Sequence, residues 1–172
     1  APERVRALVL VDASLGPLDP PAGNGVTVGL LRQDWIAQPL VSATLTNPWA
    51  IRALMRSMLV RKDAADAWLE TIRAPMRRRG TTAAYAAWLP ELFTADDGAL
   101  SRRSAALARI ALPVHLIWGA DDQVTPIDQG ERLARLARAR SFARLPGVGH
   151  VPHIEDPAGF LAALDAAIGE GR

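Results

Sequence analysis

Two residues near the end of this sequence carry the chemistry it has to offer. Asp122, in GADDQVTP, and His150, in GVGHVPHIEDP, each stand just past a short apolar run that reads as a β-strand. A buried carboxylate that orients an imidazole, with the imidazole as general base, is the back half of a nucleophile, base and acid triad. Glycines at 147 and 149 let the backbone turn sharply, so the His150 ring can point into a cleft. Asp122 and its neighbour Asp121 both suit the acid's place, and both also suit a cap on the helix that follows. The third member, a nucleophile, has to be sought in the rest of the chain.

Composition removes several alternatives. The 172 residues contain no cysteine, which excludes disulfides, thiolate catalysis and cysteine-ligated zinc. Three histidines without a His-x-x-x-His pair argue against a metal site, and no G-x-G-x-x-G follows a strand, so neither metal nor cofactor is expected. Hydrophobic residues make up 49% and charged residues 22%, as in an ordinary folded domain. The net charge is +2, with Lys62 the only lysine. The basic run Arg77 to Arg79 ends a helical pattern, where cations complement the helix dipole, so no nucleic-acid partner is expected. No apolar run approaches the roughly 20 residues of a membrane span, and a cytoplasmic protein with a small-molecule substrate is the expectation. The opening APERV lacks a methionine and reads as a cut, so targeting cannot be read.

The elements that must position the pair follow from periodicity. Ala7 to Val11, Val114 to Trp118 and Ser141 to Leu145 read as strands buried in a parallel sheet. His115 lies inside the second and reads as sheet packing. After Asp12 the stretch ASLGPLDPPAGNG reads as loop. From Val26 to Ala111 the pattern is helical. Asn47 and Pro48 start a helix with Ile51, Leu54, Met55, Met58 and Leu59 on one face. Asp63 opens a second, with Pro75 kinking or ending it and Gly80 closing the region. Thr82 opens a third, halted by Pro90, and Leu100 to Ile110 reads as a fourth, amphipathic helix. Ile127 to Ala137 and a helix capped by Asp156 and Pro157 complete the chain, the latter with Phe160, Leu161, Leu164 and Ile168 inward. A crossover needs only about a dozen residues, so most of the long insert between the first two strands must be a helical cap. Three parallel strands are few for such a sheet, and further strands are expected before Ala1.

In these respects the chain resembles the C-terminal part of the α/β-hydrolase superfamily. PERVRALVLVDAS is similar to the strand after its nucleophile-bearing helix, PVHLIWGADDQVTP to its acid strand and loop, and GVGHVPHIEDP to its histidine loop. The two loop motifs, with Asp122 and His150 28 residues apart, make the match specific. The resemblance implies an α/β fold: the last three parallel strands of that core with flanking helices (1–16 and 112–172) and an inserted helical cap (17–111, with a connecting helix near 100–110). It assigns the acid to Asp122 and the base to His150, and it finds Glu155 and Pro157 where the family tends to have them. The family's nucleophile elbow, G-x-S-x-G, is absent. Ser14 fails as a substitute, because Asp12 stands where the tight turn needs a small residue and Pro17 follows where a helix should begin.

The expected function is hydrolysis of an ester or related bond in a small, apolar substrate. The chain alone is expected to be inactive for want of a nucleophile. Cap tryptophans are expected to form the cap's own core, while Trp35, Trp88 and Tyr85, with Val124 and His153 in the loops, are expected to line the substrate pocket. A non-catalytic remnant or interaction module is the alternative, and the open edge of the first strand would invite self-association. The coding sequence upstream of Ala1 separates the two: a strand followed by G-x-S-x-G supports the enzyme, a nearby stop codon the remnant.

Overall fold

A computed structural model describes residues 2–14, 26–93 and 100–169. The loop expected after Asp12 and the cap boundary expected at residue 17 lie largely outside them. Three strands, β1 (Leu8–Val11), β2 (Val114–Gly119) and β3 (Ser141–Leu145), pair in parallel in the order β1-β2-β3. Both faces of this sheet are covered. Val114, Leu116 and Trp118 pack with Leu107 and with Leu133 and Ala137 of α7 (Ile127–Leu136) and its C-terminal end. Ile117 and Leu145 pack on the other face with Val148 and with Phe160, Ala163 and Leu164 of α9 (Pro157–Gly169). A strand buried on both sides needs no polar alternation, which explains the unbroken apolar run in β2. His115, fully buried in that run, places Nδ1 2.8 Å from the Ser141 hydroxyl, its register partner on β3.

Among the described residues six helices, α1 (Val26–Leu31), α2 (Asp34–Ala43), α3 (Ile51–Met58), α4 (Lys62–Arg73), α5 (Thr81–Phe93) and α6 (Ser104–Leu107), lie between β1 and β2. The Asn47 side chain accepts the Trp49 and Ala50 amides at 2.9 and 3.4 Å, the turn that leads into α3. Asp156 likewise caps α9 by accepting the Gly159 amide at 3.2 Å. Pro75 ends α4, and the chain continues as one 3-10 turn, Ala74–Arg77.

Four expectations are corrected. Pro90 does not halt its helix: α5 runs on to Phe93, because a proline this close to the end costs little of the hydrogen-bond ladder. Leu100 to Ile110 is not one helix but a 3-10 turn, Leu100–Arg102, and the single turn of α6, separated by the extended Arg103. Leu100 is exposed and Leu107 buried, so no continuous apolar face exists to repay helix nucleation. Leu161 and Ile168 are half exposed rather than inward. Most plainly, the tryptophans between β1 and β2 are not a core: Trp35 is 76% and Trp49 86% exposed, and Trp68 and Trp88 are also exposed. The buried clusters there are instead Ala37, Val41, Ala86 and Leu89, and Leu59, Ala65 and Ile154. Small alanine faces let α2 and α5 approach closely, which leaves the bulky rings at the margins.

Candidate active site

The site forms where β1 and β2 end and the loop after β3 folds back. Gly119, the last residue of β2, abuts this loop so closely that a Cβ there would overlap the Val148 and Gly149 carbonyls. The loop is tied across by the Ala120 amide on the Leu145 carbonyl and the Asp121 amide on the Val148 carbonyl, both 3.0 Å. Two turns are thereby brought face to face, and their side chains meet.

Asp122 accepts four bonds in this junction. Its Oδ1 takes the Val124 and Thr125 amides at 2.7 and 3.0 Å, and its Oδ2 takes the Thr125 hydroxyl at 2.6 Å and His150 Nδ1 at 2.9 Å. Asp122 thus closes an Asx turn over Val124 and Thr125 while bonding the histidine, and it does not cap the helix that follows, since α7 begins at Ile127 without a side-chain cap. Burial of Asp122 pushes its carboxyl up, but the bonds from Thr125, His150 and the two amides outweigh this and hold its pKa below the ordinary value. The His150 side chain is 20% exposed, and with Nδ1 engaged its Nε2 is the nitrogen open to a proton. Asp121 turns away, accepting the Gly147 amide at 2.9 Å on the exposed side.

Two residues that sequence reasoning did not assign to the site belong to it. Thr125 lies 2.6 Å from Asp122 and 3.3 Å from His150 Nδ1, and its hydroxyl also reaches the Asp12 carbonyl at 3.2 Å. Its Asp-x-x-Thr spacing from Asp122 is an Asx-turn signature and was the available signal. The Trp118 indole holds the same turn by donating to the Thr125 carbonyl at 2.8 Å. Asp12, at the end of β1, is buried in a left-handed conformation with φ 38°. Its Oδ1 accepts the Gly119 amide at 2.8 Å, and its Oδ2 is buried without a hydrogen-bond partner among the described residues. Burial raises its pKa to about 8; the Gly119 amide opposes this, and the negative charges of Asp122 and Glu155 add to it.

Glu155, in the one-turn helix α8 (Pro152–Glu155), joins the histidine loop to the helical region. Its Oε2 accepts the Val60 and Arg61 amides at 2.7 and 2.9 Å, and its Oε1 accepts the Gly149 amide at 2.9 Å and the Val151 amide at 3.5 Å. The Arg61 guanidinium donates to the Glu155 carbonyl, and the His150 amide donates to the Met58 carbonyl at 3.1 Å. The α3–α4 connection is thus bonded directly to the backbone that carries His150.

The remaining sequence-derived candidates are scattered. Val124 is half exposed beside Asp122. His153 is exposed and packs edge-on against Phe160, 5.8 Å between centroids, instead of standing in a pocket wall. Tyr85 and Trp88 meet edge to face at 6.1 Å and line a cavity of about 270 Å³ with Ala84. Trp35 lines a separate cavity of about 530 Å³ with Pro39 and Thr82. Neither cavity reaches Asp122 or His150, so the structure does not bring these aromatics to the pair. Among the described residues no three His, Asp or Glu side chains are placed to hold a metal ion, and no helix is long and apolar enough to cross a membrane.

This arrangement agrees with a family model described as Alpha/beta hydrolase family, which matches residues 1–163. The chain belongs to the α/β-hydrolase family. Among solved members of similar fold, a hydrolase from Pseudomonas aeruginosa superposes with a TM-score of 0.64 at 26% identity, covering 98% of this chain and 57% of that one. A thermophilic esterase from Thermogutta terrifontis gives 0.67 at 20% identity with the same coverages. The 2-hydroxy-6-oxo-6-phenylhexa-2,4-dienoate hydrolase of a Rhodococcus species gives 0.66 at 17%, again over 98% and 57%, a likeness of fold. The mesoderm-specific transcript homolog protein of Bos taurus is 38% identical over 60 residues, 34% of this chain and 18% of its own length. The chain thus spans little more than half of these solved relatives and under a fifth of that curated one.

Proposed function

We propose that this α/β-hydrolase chain contributes the acid and base of a nucleophile, histidine and acid triad that hydrolyses an ester or related bond. The observation that carries the proposal is the 2.9 Å bond from His150 Nδ1 to an Asp122 carboxylate already loaded with three other donors. Asp122 holds the imidazole in the tautomer with the proton on Nδ1 and stabilises the imidazolium once it forms. Nε2 then takes the proton of a nucleophile as it attacks the substrate carbonyl, returns it to the leaving group, and later draws a proton from water. No G-x-S-x-G occurs in residues 1–172, so the nucleophile comes from chain beyond them.

In this reading the helices between β1 and β2 are a cap, and a small substrate with an apolar portion lies beneath it. Support comes from half-exposed Val124 beside Asp122 and from the direct bonding of the α3–α4 connection to the histidine loop. The test is an ester panel assayed with the 172-residue chain and with the product of the reading frame extended upstream. The expected result is turnover by the extended protein only, reduced about 10³-fold or more by His150→Ala and by a smaller but large factor by Asp122→Asn. Turnover by the extended protein that survives His150→Ala would overturn the assignment, and an upstream stop codon would favour a non-catalytic interaction module.

A further inference from the structure

Three buried carboxyls surround the junction, and they are not treated alike. Asp122 accepts four donors and Glu155 four. Asp12 accepts one, the Gly119 amide, and its other oxygen is buried with no partner among the described residues. An ionised carboxylate out of water needs donors on both oxygens, whereas a neutral acid at such a position forfeits far less. Asp12 is also held there deliberately: its φ of 38° is tolerated by few side chains. That conformation points its carbonyl at the Thr125 hydroxyl and its carboxyl at the Gly119 amide.

Resting on the triad reading above, we propose that Asp12 is a positioning residue: a neutral carboxylic acid standing beside ionised Asp122, so that the two together carry one negative charge. His150 then faces a single negative charge, held in place through Thr125, which touches Asp12, Asp122 and the imidazole alike. The titratable groups acting on Asp12 are Asp122 from the loop after β2 and Glu155 from α8, both raising its affinity for the proton. His150, on the loop after β3, joins them through its bond to Asp122. When Asp12 loses its proton on the alkaline side, a second negative charge appears behind the imidazole. His150 then binds its own proton more tightly, so its strength as a base follows the state of Asp12.

The experiment is an NMR titration of the 172-residue chain from pH 3 to 10, with labelled aspartate carboxyl carbons and labelled histidine ring nitrogens. The expected result is an Asp12 carboxyl still protonated at pH 6 that titrates near pH 8, with His150 ring signals moving in step. Asp12→Asn, a neutral isostere that keeps the acceptor for Gly119, is expected to remove that alkaline step from His150. It should leave the Nδ1 proton bonded to Asp122. An Asp12 carboxyl that ionises in the usual aspartate range, or His150 signals that stay flat across the Asp12 step, would overturn the proposal. Should Asp12→Asn fail to fold, the wild-type titration decides by itself. Turnover is no part of this readout, so a failed hydrolase assay leaves the titration standing, and a flat titration leaves the triad standing.

Discussion

Glu155→Gln tests how firmly the helical region is tied to the histidine backbone. The glutamine amide replaces one carboxylate oxygen by a donor, and every partner of Glu155 is itself a donor. If the amide nitrogen takes the Oε2 place it confronts the Val60 and Arg61 amides; in the Oε1 place it confronts that of Gly149. The second choice is cheaper, losing one short bond and leaving one buried amide unsatisfied while the other two bonds lose their charge assistance. A bond to a charged group contributes about 1.5–3 kcal/mol and an orphaned buried amide costs about 1–3 kcal/mol, terms that overlap, so a loss of about 2–4 kcal/mol is expected. Against a total stability of roughly 5–15 kcal/mol this is a large fraction. Urea unfolding at constant m-value reads the loss, and hydrogen exchange should show the Gly149 amide deprotected ahead of the sheet. Asp121→Asn is the control, since its acceptor lies on the exposed side and a change within about 0.5 kcal/mol is expected. A Glu155→Gln loss no greater than the control's, with exchange unchanged, would refute the tie.

Asp12→Asn should stabilise the protein at neutral pH. The folded pKa of Asp12 is raised from 3.8 to about 8, so stability is full below pH 4 and falls as pH rises towards 8. The variant escapes that loss, by roughly 4 kcal/mol at pH 7 as an upper bound, measured by denaturation at pH 4 and 7. Thr125→Val keeps the shape but removes the hydroxyl bonded to Asp122. Because the Asp122 pKa is depressed, its contribution is present above the ordinary carboxylate range and lost as pH falls through the folded value; the variant should therefore unfold in acid at a higher pH. Gly119→Ala forces a methyl against the Val148 and Gly149 carbonyls and should cost about 1–3 kcal/mol, with the Asp121 amide losing exchange protection.

The strands and the Asp122–His150 pair were legible because they rest on local, strong signals. A doubly buried strand is apolar almost throughout, as β2 is apart from His115, and the turn at its end carries Gly119 and the polar Asp122. The cap at Asp156 was legible for the same reason, whereas Asn47 closes the turn before α3 rather than capping the helix itself. The exposed tryptophans were not, because a sequence shows that Trp35 or Trp88 is apolar but not that alanines will do the packing. Nor was Asp12, since its role comes from contacts with residues over a hundred positions away; Thr125 had a local signal in its Asp-x-x-Thr spacing from Asp122, but its link to Asp12 is equally remote. For His153 only the fold shows that Phe160 packs against its ring.

The tie between Glu155 and the α3–α4 connection uses main-chain amides and a main-chain carbonyl alone on the Met58, Val60 and Arg61 side, apart from one arginine bond. Such a joint is almost blind to sequence. Val60 and Arg61 can change in size and polarity without altering the amide socket, only proline there removing a donor, whereas Leu59 is held in the buried cluster with Ala65 and Ile154. A helical region grafted from another protein would seat on the same histidine loop if its backbone followed the same path, which makes the joint a practical splice point for exchanging one helical region for another.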